Sequence, residues 1–113
     1  MNKIKIFLIL VSATFVVSCT SHTYDEISLP VANPTYSVNI EPVFKANCTE
    51  CHNSGEQFPP LENYTEVRAA TENGKVLCRI DGKSCGSIMP PSGRMTQGTI
   101  NMINLWATNG YKN

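Results

Sequence analysis

Cys48, Thr49, Glu50, Cys51 and His52 set two thiols three positions apart and follow the second with an imidazole. Two thiols at that spacing, at the end of a short helix, reach both vinyl groups of a single haem, and the next histidine is carried beneath the iron. The pentapeptide therefore reads as a c-type haem attachment site, with Cys48 and Cys51 as thioethers and His52 as an axial ligand. Two other chemistries use the same cysteines. A dithiol redox pair belongs to a strand–helix–strand setting, which this sequence does not supply. A four-cysteine zinc site would recruit Cys78 and Cys85, but six residues intervene between them, against the ~2–4 usual in a zinc pair. Neither alternative gives His52 a task.

A low-spin iron needs a second axial ligand, and a thioether there raises the potential. Three methionines lie downstream: Met89, Met95 and Met102. Met102 falls within the apolar pattern of a helix and reads as core. Met95 stands just before a helix start and can pack as a staple on Thr99 or Ile100. Met89 lies in Ser87-Ile88-Met89-Pro90-Pro91-Ser92-Gly93, a loop stiffened by two prolines. It loses little freedom when it binds, so it is the expected ligand. The remaining options are an open sixth position or His22, and His22 sits only three residues from Cys19.

Cys78 and Cys85 are symmetric about Asp81-Gly82, a dipeptide suited to a two-residue hairpin turn. Pairing outward sets Ile80 against Lys83, Arg79 against Ser84 and Cys78 against Cys85. Opposed positions in an antiparallel pair are close enough for a disulfide. A disulfide on a short hairpin is thus expected.

The elements that must hold these groups form a short list. Residues 1–18 carry Lys3 and Lys5 ahead of an apolar run from Ile6 to Val17, the layout of a secretory signal rather than of a membrane span of ~20 residues. The chain has nine Lys+Arg and nine Asp+Glu; without Lys3 and Lys5 the balance is seven to nine, a mature charge of −2. No basic stripe is present, so nucleic acid is not an expected partner. Residues 19–37 are polar, contain Pro30 and Pro34, and read as a flexible tether. The folded part is expected over residues 38–113, about 75 residues, a size that usually needs a disulfide, metal or cofactor to hold it together.

Three helices are predicted in it. One covers Glu41 to Cys48 with Pro42 in its first turn, and a second covers Tyr64 to Glu72 behind Asn63 as N-cap. The third runs from Gln97 to Thr108 behind Thr96, with Ile100, Ile103 and Ala107 at helical spacing and Gly110 as its stop. The stretch from Asp81 to Gly98 is mostly loop, so the fold class is mostly α. No Ser/His/Asp set, carboxylate pair or phosphate loop appears, and no enzymatic activity is expected.

Two resemblances add to this reading. Val16-Val17-Ser18-Cys19 resembles a bacterial lipoprotein signal, which implies that Cys19 becomes the first mature residue and carries the lipid. Several acyl chains anchor a protein stably where one does not. Residues from about Val38 to Tyr111 resemble the small class I-type cytochrome c domain in its single-haem bacterial lipoprotein form. The resemblance rests on Val43-Phe44, the Cys48–His52 pentapeptide, the Met89-Pro90 loop and the last helix with Trp106. It implies a cytochrome c-like fold of three or more helices around one covalently attached haem, with a crossing of first and last helices that packs Phe44 and Trp106. It also implies a carbonyl from Pro59 or Pro60 holding His52. The Cys78–Cys85 pair is not usual in that family. Function by resemblance is one-electron transfer to redox partner proteins of the cell envelope, from an exported, membrane-anchored position on the periplasmic side. A five-coordinate haem enzyme or gas-binding module, or a zinc-stabilised structural domain, is the alternative.

Overall fold

The structure, a computed structural model, describes residues 30–83 and 85–113. The expected signal (1–18), the lipid site Cys19, His22 and most of the tether lie outside the described residues, as does Ser84. Four α-helices are present among the described residues: α1 (Glu41–Asn47), α2 (Tyr64–Glu72), α3 (Val76–Ile80) and α4 (Gln97–Thr108). A π-helical turn, Tyr36–Ile40, leads directly into α1. No strand occurs among the described residues, so the mostly α class holds. No helix among them is long and apolar enough to cross a membrane.

Local chemistry explains the boundaries. Asn63 accepts a hydrogen bond from the Glu66 backbone N–H (3.1 Å) and so caps α2. Thr96 does the same for Thr99 (3.2 Å) at the start of α4. Pro42 sits in the first turn of α1, where its missing N–H leaves no broken bond. At the far end of α4, Gly110 turns the chain with φ +84°, and the Tyr111 N–H returns to the Trp106 carbonyl (3.0 Å).

Trp106, Ile40, Ile100, Ile103 and Val67 are all but inaccessible to solvent, and Tyr36, Phe44, Leu61 and Ile80 complete the core. The buried face of α4 is Ile100–Ile103–Trp106, with Ala107 only half-buried. Packed chain begins upstream of Val38. Pro34 is buried, and Tyr36 is edge-on to Tyr64 (centroids 5.4 Å) and tilted against Trp106 (6.1 Å). The ring partners of Trp106 are thus Tyr36 and Tyr111 (5.0 Å), while Phe44 occupies the same core without appearing among its ring pairs. The Lys112 carbonyl fastens both ends of the chain by accepting from the Tyr36 N–H (2.8 Å) and from Trp106 Nε1 (2.7 Å). Tyr64 adds its hydroxyl to the Tyr111 carbonyl (2.8 Å).

One expectation needs correcting. Cys78 and Cys85 are bonded, with Cα atoms 6.1 Å apart, but not across a hairpin. Cys78 lies in α3, where Arg79 N–H bonds to the Lys75 carbonyl (2.9 Å) and Asp81 N–H to the Leu77 carbonyl (3.3 Å). Helical winding there carries Ile80 into the core at 3 % exposure, and Asp81-Gly82 forms its turn, with Gly82 at φ +72°, at the end of a helix and not between two strands. The chain still reverses after α3, with Lys83 N–H on the Cys78 carbonyl (3.1 Å), so the disulfide clamps a helix to a loop.

Candidate functional site

The pentapeptide begins where α1 ends. Cys48 N–H still bonds to the Phe44 carbonyl (2.8 Å), and the Cys48 carbonyl then accepts from both Cys51 N–H (3.2 Å) and His52 N–H (2.8 Å). One further turn of backbone therefore stacks His52 over Cys48. Both cysteines are free thiols, Cys48 half-buried and Cys51 exposed.

The chain after His52 folds into a loop that returns to it. Leu61 N–H bonds to the His52 carbonyl (2.8 Å) and Gln57 N–H to the Cys51 carbonyl (3.1 Å). Ser54 N–H reaches a Glu62 carboxylate oxygen (2.9 Å), and the Ser54 hydroxyl bonds to the same oxygen. These two bonds hold the Glu62 carboxyl below its ordinary range. Between the latches, the Pro59 carbonyl meets His52 Nδ1 at 2.9 Å. A carbonyl can only accept, so Nδ1 carries the proton and Nε2 is the ring nitrogen with a free lone pair. Of the two prolines the sequence left open, Pro59 makes this contact.

Cys48, Cys51 and His52 line a cavity of about 800 Å³ with mainly apolar walls. That is towards the upper end of the ~300–1,000 Å³ typical of ligand sites. α1 contributes Val43 and Phe44, α2 contributes Ala69 and Ala70, and α3 contributes Val76 and Ile80. α4 supplies no lining residue and backs the others from the core. Met89 and Met95 both line the cavity, whereas Met102 does not and packs on the core. Met95 also packs against the core cluster, and Met89 does not belong to it. The structure thus brings Cys48, Cys51, His52 and Met89 to one cavity. Phe58, 89 % exposed, stands at its rim.

The residues fit a covalently held haem. The cavity offers a large, mainly apolar surface to a bound group, and filling it would bury that surface. Its donor set offers two thiols, one imidazole nitrogen and thioether sulfur. The rival chemistries fit less well. Burial pushes the Cys48 thiol up to about 11, so in the bare chain it is held as the neutral thiol. Cys78 and Cys85 are consumed by their own bond, and no group of three or more His, Cys, Asp or Glu side chains with metal-holding geometry occurs among the described residues.

Sequence reasoning passed over Arg79. It lines the cavity, and its carbonyl accepts the Met89 N–H (3.1 Å). An arginine in the last turn of a short helix carries no sequence signal for either task. Searches of protein-family models, curated proteins and solved structures return no match to this chain.

Proposed function

We propose that the protein is an electron carrier with a single c-type haem, held through thioethers at Cys48 and Cys51 and ligated by His52 and Met89, in a cytochrome c-like arrangement. The observation that carries this is the convergence of these four side chains on one apolar cavity, with His52 Nδ1 already taken by the Pro59 carbonyl. The haem supplies an iron that accepts one electron and gives it back without making or breaking bonds.

The chain's own residues do the rest. The Pro59 carbonyl orients the His52 ring and raises its basicity, which tunes the iron it ligates. Met89 sulfur favours the reduced state and raises the potential. The apolar walls from α1, α2 and α3 exclude water and favour the state of lower charge. Phe58, exposed at the rim of the cavity, marks the open side, where a redox partner would approach.

Export and anchoring through Cys19 belong to the same proposal and rest on the sequence. They restrict partners to proteins of the cell envelope, on the periplasmic side. A mature charge of −2 gives little long-range steering.

An optical spectrum of the purified mature protein tests the proposal. Sharp α and β bands on reduction, with a weak far-red sulfur-to-iron band on oxidation, are expected. A high-spin spectrum would favour a five-coordinate enzyme or gas-binding module. A colourless protein with bound zinc would overturn haem binding.

A further inference from the structure

The disulfide and Met89 belong to one local unit. Cys78 is in α3, and Cys85 precedes Met89 by four residues in the returning loop. Met89 N–H closes the loop on the Arg79 carbonyl (3.1 Å), one residue after Cys78. Gly86 approaches Arg79 so nearly that an added Cβ would lie 2.7 Å from guanidinium Nη2. Downstream, Arg94 Nη2 bonds to Asp81 Oδ1 (2.9 Å) at the end of the same helix. Both flanks of the Met89 loop are therefore fastened to the C-terminal end of α3.

α3 is also a wall of the cavity, through Val76, Arg79 and Ile80. A loop tied to that wall holds its methionine at a set distance from the site. Apart from the disulfide, two backbone hydrogen bonds among the described residues fasten the upstream flank, Lys83 to Cys78 and Met89 to Arg79, and hydrogen bonds of this kind exchange with water at little net cost. Of these three fastenings, the covalent link is the one that does not open in this way.

We propose that the Cys78–Cys85 disulfide is a positioning element for the sixth iron ligand: it ties the Met89 loop to α3, and opening it releases Met89 from the iron. The proposal rests on the haem reading given above. Cys78 and Cys85 touch neither substrate nor iron; they act through Met89. A dithiol reductant delivers two electrons and two protons to the bond and leaves two thiols, with no change to the thioethers at Cys48 and Cys51.

The test uses the full-length, membrane-extracted holoprotein in the ferric state, titrated with imidazole as a competing ligand. Its apparent affinity scales with the fraction of molecules in which Met89 is off the iron, so a loosened loop is read directly. The C78S/C85S variant should bind imidazole about tenfold or more tightly than the wild type and show a weakened far-red band. Ile103→Val, a conservative change in the core that leaves the disulfide intact, should change neither. A folded C78S/C85S holoprotein with wild-type affinity and band would overturn the positioning role.

Should the double variant fail to fold, the wild-type holoprotein is reduced with a dithiol, alkylated, re-oxidised at the iron and titrated in the same way. Peptide mapping then separates two failures. Alkylation at Cys48 and Cys51, or a wild-type spectrum without the far-red band, would sink the haem or Met89 reading and the positioning role with it. Alkylation confined to Cys78 and Cys85 with unchanged imidazole affinity would sink the positioning role alone.

Discussion

The Pro59 carbonyl oxygen lies 2.9 Å from His52 Nδ1, seven positions away along the chain. The contact assigns the ring proton to Nδ1 and leaves Nε2 for a metal. It depends on the loop closing at its ends, by Leu61 on His52 and by Glu62 on Ser54.

Glu62 therefore makes the His52 loop acid-sensitive. The Ser54 bonds lower its folded value below the ordinary 4.5, so the latch is fully present above that pH and is lost as pH falls through the lower folded value. Glu62→Gln should weaken the latch at all pH values. Amide exchange at Ser54, followed by NMR, should be faster in the variant at pH 7 and should converge with the wild type in strong acid. Equal exchange in both proteins at pH 7 would remove Glu62 from the account.

Met89→Ala should abolish the far-red sulfur-to-iron band and lower the midpoint potential by more than ~59 mV, a tenfold change for one electron. Met95→Ala should keep the band, since Met95 also packs against the core. If the two variants exchange these behaviours in a spectroelectrochemical titration, the sixth ligand is Met95.

Trp106 is fully buried and gives its Nε1–H to Lys112, so its loss costs both volume and a terminal fastening. Trp106→Ala should destabilise the protein by about 3–5 kcal/mol, a large share of the ~5–15 kcal/mol that holds a domain folded. Urea unfolding followed by circular dichroism measures this directly. A loss below ~1 kcal/mol would contradict the packing described here.

The disulfide has a stability effect separate from its effect on Met89. Closing so short a loop lowers the entropy of the unfolded chain, and its removal should cost ~2 kcal/mol in the same urea experiment. An unchanged midpoint in C78S/C85S would mean that the bond does not constrain the unfolded chain.

Much of this was legible where local chemistry decides structure. Asn63 and Thr96 announce helix starts because their side chains satisfy open N–H groups, and α2 and α4 have the predicted bounds. The order of the pentapeptide carries the proposed haem reading by itself, since attachment there would be a matter of covalent reach. What escaped depends on distant partners. Tyr36 reads as tether because its neighbours in sequence are polar, yet Tyr64, Trp106 and the Lys112 carbonyl bury it. Asp81-Gly82 reads as a hairpin turn because nothing local reveals that Ile80 is needed in the core. Pro59 and Pro60 are alike as residues, and only the loop's closure distinguishes them.

The central claim is the covalent haem at Cys48 and Cys51, and intact mass measured under denaturing conditions tests it most directly. The account predicts that one haem stays with the polypeptide after unfolding, and that the peptide containing Cys48 and Cys51 carries it. A denatured chain with the mass of bare polypeptide, and with both thiols open to alkylation, would contradict it.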